Sequence, residues 1–200
     1  MSFAATRRRT ARLAATLLAV LLPSALSAQA ITKAEIEKYR LTMANVERLL
    51  TVARNMKALE NDAELQKWAA QNAREEGIEA STENNPNAEA EGLTKMAAKL
   101  SEQPKVRQAV QSAGITPREY ALTTYALLMS SMPVAAEKQY GKTVDTKGLA
   151  PAMVANIELV RANWTRINAM GEEMKKYEMK KPEAPGGEDE GDDKGEKHPA

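Results

Sequence analysis

A chain with one histidine and no cysteine has few side chains suited to chemistry, and most of those left here are carboxylates and tyrosines. Carboxylates are the chief general acids and bases in such a set. Glu75-Glu76 and Glu172-Glu173 are adjacent pairs on stretches that read as helical. Neighbours on a helix point to different faces, so both pairs read as solvated surface charge. Arg118, Glu119 and Tyr120 sit where a helix is expected to open, and the free amides of a helix start can hold an anion. Glu119 is better explained there as the return arm of a capping box. An enzyme acting on envelope glycans through carboxylates, or through Tyr120 and Tyr125, would need two carboxyls converging about 5–10 Å apart.

The absence of cysteine removes thiol nucleophiles, iron–sulfur ligation, cysteine zinc sites, covalent haem attachment and lipoprotein anchoring. His198 lies two residues from the end, which excludes a Ser-His-Asp triad, a multi-histidine metal site and the Glu-x-x-His element of di-iron bundles. Glu188-Asp189-Glu190 and Asp192-Asp193 would hold calcium or magnesium only loosely, because they lack the alternating ligands of an EF-hand loop. No catalytic, cofactor-binding or metal-ligating residue is therefore assigned.

Binding has better material. Nine methionines follow position 1, and Met129, Met132, Met153, Met170, Met174 and Met179 suit an adaptable apolar groove for a client peptide. Methionines at helical spacing are more often core, and Trp68 and Trp164 read as core anchors too. Asn156 and Asn163 lie seven residues apart on one face of a helix, beside Ile157 and Trp164. A buried asparagine there fixes register by bonding a neighbouring backbone; the sharper alternative has the pair reading a polar ligand between helices.

The elements that must position these residues follow from periodicity and caps. Thr32-Lys33-Ala34-Glu35 is a capping box, and Ile36, Tyr39, Met43, Val46, Leu50 and Ala53 then step by three and four as one stripe. Asn61-Asp62 caps a second helix with Leu65, Trp68 and Ala69 that ends near Gly77; residues 79–88 are a linker by composition. A third helix carries Leu93, Met96, Ala97 and Leu100. A fourth opens at Pro104, carries Val106 and Val110, and closes at Gly114. In Gly114-Ile115-Thr116-Pro117-Arg118-Glu119-Tyr120, Thr116 is the cap, Pro117 the first helical residue and Ile115 a staple toward Tyr120. The helix from Ala121 to Met132 is apolar nearly all round, hence central, and Pro133 breaks or kinks it. After a loop from Gly141 to Gly148, the last helix starts near Pro151 and runs unbroken through Ile157, Val160, Trp164, Ile167 and Met174. No alternating β pattern competes, so the fold class is all-α, a bundle of five to six helices.

The two ends of the chain have their own character. Arg7, Arg8, Arg9 and Arg12 precede an apolar run from Leu13 to Leu22, then Pro23 and small residues ending Ala28-Gln29-Ala30. That is the order of a secretory signal peptide, residues 1–30, with cleavage before Ile31 and a cut after Ser27 as the runner-up. As a helix the apolar run reaches about 15 Å, half a bilayer core, so no permanent membrane span is expected. Without those four arginines, 24 basic residues face 27 acidic ones, a net charge of −3, which gives no concentrated basic face for nucleic acid. Residues 181–200 contain no large apolar side chain and are expected to be a disordered acidic tail, leaving 31–180 as the helical domain.

The turn Gly114 to Tyr120 before an apolar helix, together with Pro151-Ala-Met-Val-Ala-Asn-Ile-Glu-Leu-Val-Arg-Ala-Asn163, resembles a family of exported, all-helical bacterial proteins with no assigned activity. The resemblance spans roughly residues 31–180 and implies export and a helical fold, with no functional residue to carry over. Leu41-Thr42-Met43-Ala44-Asn45 is also close to the Leu-Thr-x-x-Gln motif of helical envelope chaperones, departing at Asn45, and membership is not claimed. The expected function is a non-catalytic binding or interaction module of the cell envelope, periplasmic or secreted, with envelope proteins or peptides as partners. The alternatives are a carboxylate-dependent envelope enzyme and a purely structural protein.

Overall fold

In a computed structural model, which describes residues 30–79 and 87–177, every regular element is an α-helix. There are eight among the described residues: α1 Lys33–Lys38, α2 Met43–Lys57, α3 Ala63–Glu79, α4 Ala88–Glu102, α5 Pro104–Ser112, α6 Pro117–Tyr140, α7 Pro151–Ala162 and α8 Trp164–Lys175. None is long and apolar enough to cross a membrane. The expected signal peptide except Ala30, the expected acidic tail with His198, Met179 and residues 80–86 of the expected linker lie outside the described residues.

Most helix starts follow their local chemistry. The Thr32 hydroxyl accepts the Glu35 amide at 3.3 Å while the Glu35 carboxylate accepts the Thr32 amide at 3.0 Å, completing the box. Asp62 takes the amides of Glu64 and Leu65, both at 3.1 Å. Pro104 and Pro117 open α5 and α6 where their missing amides cost nothing. Gly114 turns with φ +76°, a left-handed conformation that a side chain would oppose, and carries the chain into Thr116.

α6 is the centre, packed against α2, α4, α5 and α7. Its Ala126 and Val134 join Leu41, Val46, Ile157, Val160 and Ile167 in one core cluster, and its Ala121 and Leu122 join Ile31, Leu93 and Ala97 in another. Ile115 and Val110 pack with Leu49 and Val52 in a third, and Tyr120 lies against that cluster. Thr123 and Ser130 are fully buried within this apolar helix because each hydroxyl donates back to its own helix, to the Glu119 carbonyl at 2.7 Å and the Ala126 carbonyl at 2.6 Å.

Four expectations are corrected. Eight helices replace five or six, in part because the first and last expected helices are each two. The first breaks after Tyr39, whose backbone is extended, and Thr42 starts α2 afresh by accepting the Asn45 amide at 3.2 Å. The break is held from outside: the Asn156 side chain accepts the Leu41 amide at 2.8 Å and donates to the Tyr39 carbonyl at 2.9 Å. The last breaks at Asn163, where φ is −114° and the side chain donates to the Leu159 carbonyl at 2.8 Å. Pro133 does not end α6, which continues to Tyr140; Val134 is fully buried in the core and Glu137 is fastened to α7 by Arg161, so tertiary contact outweighs the lost amide bond. Finally, the Glu119 carboxylate does not return to Thr116. It accepts from the Asn45 side chain at 3.3 Å, and only the Thr116 hydroxyl does the capping, taking the Glu119 amide at 3.1 Å.

Candidate functional site

The chemistry-bearing residues are mostly spent on one another. Arg118 holds the Glu35 carboxylate at 2.5 Å and the Ala30 carbonyl at 3.3 Å, Glu119 turns to Asn45, and Tyr120 points elsewhere, so the three diverge from one helix start. Arg118 is the largest cause of the lowered Glu35 pKa. Asn45 also donates to the Tyr39 hydroxyl, which shares a 2.6 Å hydrogen bond with Thr123, and accepts from Arg48 at 3.1 Å. This network ties α1, α2 and α6 together.

The paired carboxylates also part company. Glu172 bonds Lys175 at 2.7 Å, whereas Glu173 crosses to Arg54 on α2. Glu75 and Glu76 fall in the last turns of α3, outside the residues whose side chains are described. Glu137 accepts both forks of Arg161 at 2.9 and 2.7 Å and the Val144 amide at 2.9 Å; those donors, Arg161 foremost, pull its pKa down to about 2. Tyr125 packs beside the Leu93 cluster and its pKa is pushed up to about 12, mainly by burial and secondarily by Glu89, while Tyr120 belongs to a different cluster. Asn156 and Asn163 are not brought together as a pair: one amide grips the α1–α2 break, the other its own helix. Among the described residues no three carboxylate or imidazole side chains converge as a metal site would require.

One feature differs in kind. Between α2, α6 and α8 lies an apolar groove of about 340 Å³. Its floor is Val46 and Leu49 from α2, both buried. Tyr120, Thr124, Leu127, Leu128 and Ser131, spaced along one face of α6, form one wall; Trp164, Ile167, Asn168, Met170, Gly171 and Met174 form the other. The ion pairs Arg54–Glu173 and Arg166–Glu47 fasten α8 to α2. Gly171 leaves the α8 wall thin, since a Cβ placed there would meet nothing within 4 Å. On the α6 wall Leu128 is 57% exposed, and Met132, one turn further along α6, is 59% exposed.

The polar content of this groove is small and specific. The Thr124 hydroxyl is fully buried with no hydrogen-bond partner, in contrast to Thr123 and Ser130 on the same helix. Burial pushes the Tyr120 phenol above its ordinary pKa, and the Thr124 hydroxyl one turn on opposes this more weakly. The pair does not reach hydrogen-bond geometry. Of the methionines expected to face a ligand, Met170 and Met174 line the groove; Met132 is exposed beside it, and Met153 packs on the core with its sulfur 3.8 Å from the Ser130 hydroxyl. Trp164 both packs on the core and lines the groove. Thr124, Ser131, Asn168 and Gly171 are among the groove residues that sequence reasoning passed over. Their only sequence signal is that they share one face with Tyr120 and Leu127, or with Trp164 and Ile167.

Comparison with protein-family models, with characterised proteins and with solved structures gave no match to this chain.

Proposed function

We propose that this protein is an exported, non-catalytic binding module of the cell envelope that acts through the groove between α2, α6 and α8. The observation that carries the reading is a 340 Å³ concave surface lined by Tyr120, Leu127, Trp164, Ile167, Met170 and Met174, of the size and lining that ligand sites have. The flexible thioethers of Met170 and Met174 let the wall adjust to what enters. Export is supported by the arginine-rich, apolar and small-residue order of positions 1–30, and the client-holding version of the module by the exposed Leu128 on the groove wall and Met132 one turn on.

The test is binding of a hydrophobic dye to the folded protein, together with binding of apolar peptides. Saturable dye binding that Gly171→Phe removes is the expected result. A native protein that takes up neither dye nor peptide overturns the reading. Mass measurement of protein recovered from its own envelope tests export, with Ile31 as the expected first residue.

A further inference from the structure

We infer that the Ala30–Ile31 peptide bond is a processing site that folding closes: the leader is cut from the unfolded chain, and a chain that folds first keeps it. This rests on the export reading and adds to it the order of two steps.

The core begins at this bond. Ala30 is exposed, whereas Ile31 is 3% exposed and packs with Leu93, Ala97, Ala121 and Leu122. Both polar ends of the peptide group that joins them are taken. Its carbonyl, on Ala30, accepts from Arg118 of α6 at 3.3 Å; its N–H, on Ile31, donates to the Thr94 hydroxyl of α4 at 2.8 Å. The next residue, Thr32, is held by its capping box with Glu35. Everything just past the bond is thus fastened to α1, α4 and α6.

Hydrolysis cannot use the bond in that state. A peptidase breaks the link between the Ala30 carbonyl carbon and the Ile31 nitrogen, adding the oxygen of water to the carbon and a proton to the nitrogen. It must lay residues from both sides of the bond in its cleft and hold the carbonyl oxygen with donors of its own. Here that oxygen faces Arg118, and Ile31 would have to leave the core. Susceptibility follows the burial and hydrogen bonding of the backbone concerned, so cutting of the folded chain waits on local opening.

The fold nevertheless suits the product. The nitrogen left on Ile31 is an ammonium, which still has N–H groups to donate to Thr94. The Ile31 side chain and the Thr32 box are untouched, and Arg118 loses the Ala30 carbonyl but keeps Glu35 at 2.5 Å. Cutting first and folding second therefore gives the same packing, with a core residue at the head of the mature chain. A cut after Ser27 differs, because it leaves Ala28-Gln29-Ala30 attached and the contact with Arg118 intact.

The experiment uses the full chain of 200 residues, made by cell-free synthesis with a leader peptidase in mild detergent. The enzyme is present during synthesis in one arm and added after folding in the other, and intact mass reads the first residue. A product beginning at Ile31 is expected in the first arm, formed at least about a hundredfold more slowly in the second. Two changes in α4 leave every residue around the bond as it is. Thr94→Val removes the acceptor of the Ile31 amide, and Leu93→Ala hollows the site that the Ile31 side chain fills. Each should speed cutting of the folded chain about tenfold or more. They separate a bond closed by the fold from a leader that the enzyme fails to engage. Circular dichroism establishes that each variant is folded, and Thr94→Val decides the matter if Leu93→Ala is not. Equal rates in the two arms overturn the inference, as do variants cut no faster than the parent, or a product that begins at Ala28. In those cases the leader is still removed and the export reading stands. No cut in either arm overturns both.

Discussion

The Asn156 side-chain oxygen lies 2.8 Å from the backbone nitrogen of Leu41, a contact between residues 115 positions apart. The same amide gives its N–H to the Tyr39 carbonyl, so one planar group replaces both hydrogen bonds that a continuous helix would have made there. Asn156 is 3% exposed, and its bond with the Leu41 amide is buried. It acts as a clasp between α7 and the junction of α1 with α2. Asn156→Leu keeps much of the volume and strands the Leu41 amide and Tyr39 carbonyl. We expect a loss of about 2–4 kcal/mol, read as a lower urea midpoint; a change under half a kcal/mol would show that the junction finds other partners. Asn156→Asp should recover part of the loss, since a carboxylate can still accept from Leu41 but cannot donate to Tyr39.

Acid should weaken the protein in a window set partly by Glu137. Its pKa falls to about 2 in the folded state through Arg161 and the Val144 amide, from an ordinary carboxylate value of 4.5. A depressed carboxylate contributes stability that is fully present above its unfolded pKa and lost as pH falls toward the folded one. The contribution should fade between about pH 4.5 and pH 2. Glu35, Asp62 and Glu173 are lowered too, so the measurement is a difference: stability against pH for Glu137→Gln should run flatter through that window than the parent. Identical slopes would mean that the Glu137–Arg161 pair is no stronger in the folded chain than in the unfolded one.

Pro133 sits inside α6 without an amide for the Met129 carbonyl, and the helix proceeds regardless. Removing that defect should help. Pro133→Ala is expected to stabilise by about 1–3 kcal/mol, or a rise in melting temperature of very roughly 3–10 °C. No change would mean that the half-buried ring packs as well as the restored hydrogen bond.

Two glycines should respond with opposite signs. Gly92 is exposed within α4 and a Cβ there meets nothing, so Gly92→Ala should stabilise by about 0.5–1 kcal/mol. Gly141 ends α6 at φ +68°, where alanine is strained, and Gly141→Ala should cost about 1 kcal/mol. Thermal melts of the two variants settle both signs.

What was legible from sequence is what is local. Thr32 with Glu35, Asp62, Pro104, Thr116 with Pro117, and Gly114 each declare an end of a helix through groups a few residues away, and the structure uses them so. The all-helical class and the central place of α6 follow from period and from apolarity all round. The breaks at Tyr39 and Asn163 escaped because the stripe of apolar residues runs through both, and the first is enforced by an asparagine on another helix. Glu119 satisfied a local rule and yielded to Asn45, a tertiary partner. The groove escaped for a related reason: periodicity shows which face of α6 is apolar, not whether a neighbour covers it. Thr124 is indistinguishable from Thr123 until the walls are in place.

The clasp at Asn156 also orders events in time. A chain made or delivered from its N-terminus presents the Tyr39–Leu41 segment long before residue 156 exists to receive it. Until then the local pattern there favours one continuous helix, since the stripe from Ile36 to Ala53 is unbroken in the sequence. We expect the first helix to be severed late, when α7 docks. That step joins segments far apart in sequence, with its loop-closure cost met before the contact repays it. Asn156 variants should accordingly slow refolding less than they speed unfolding, the kinetic mark of a contact made after the barrier.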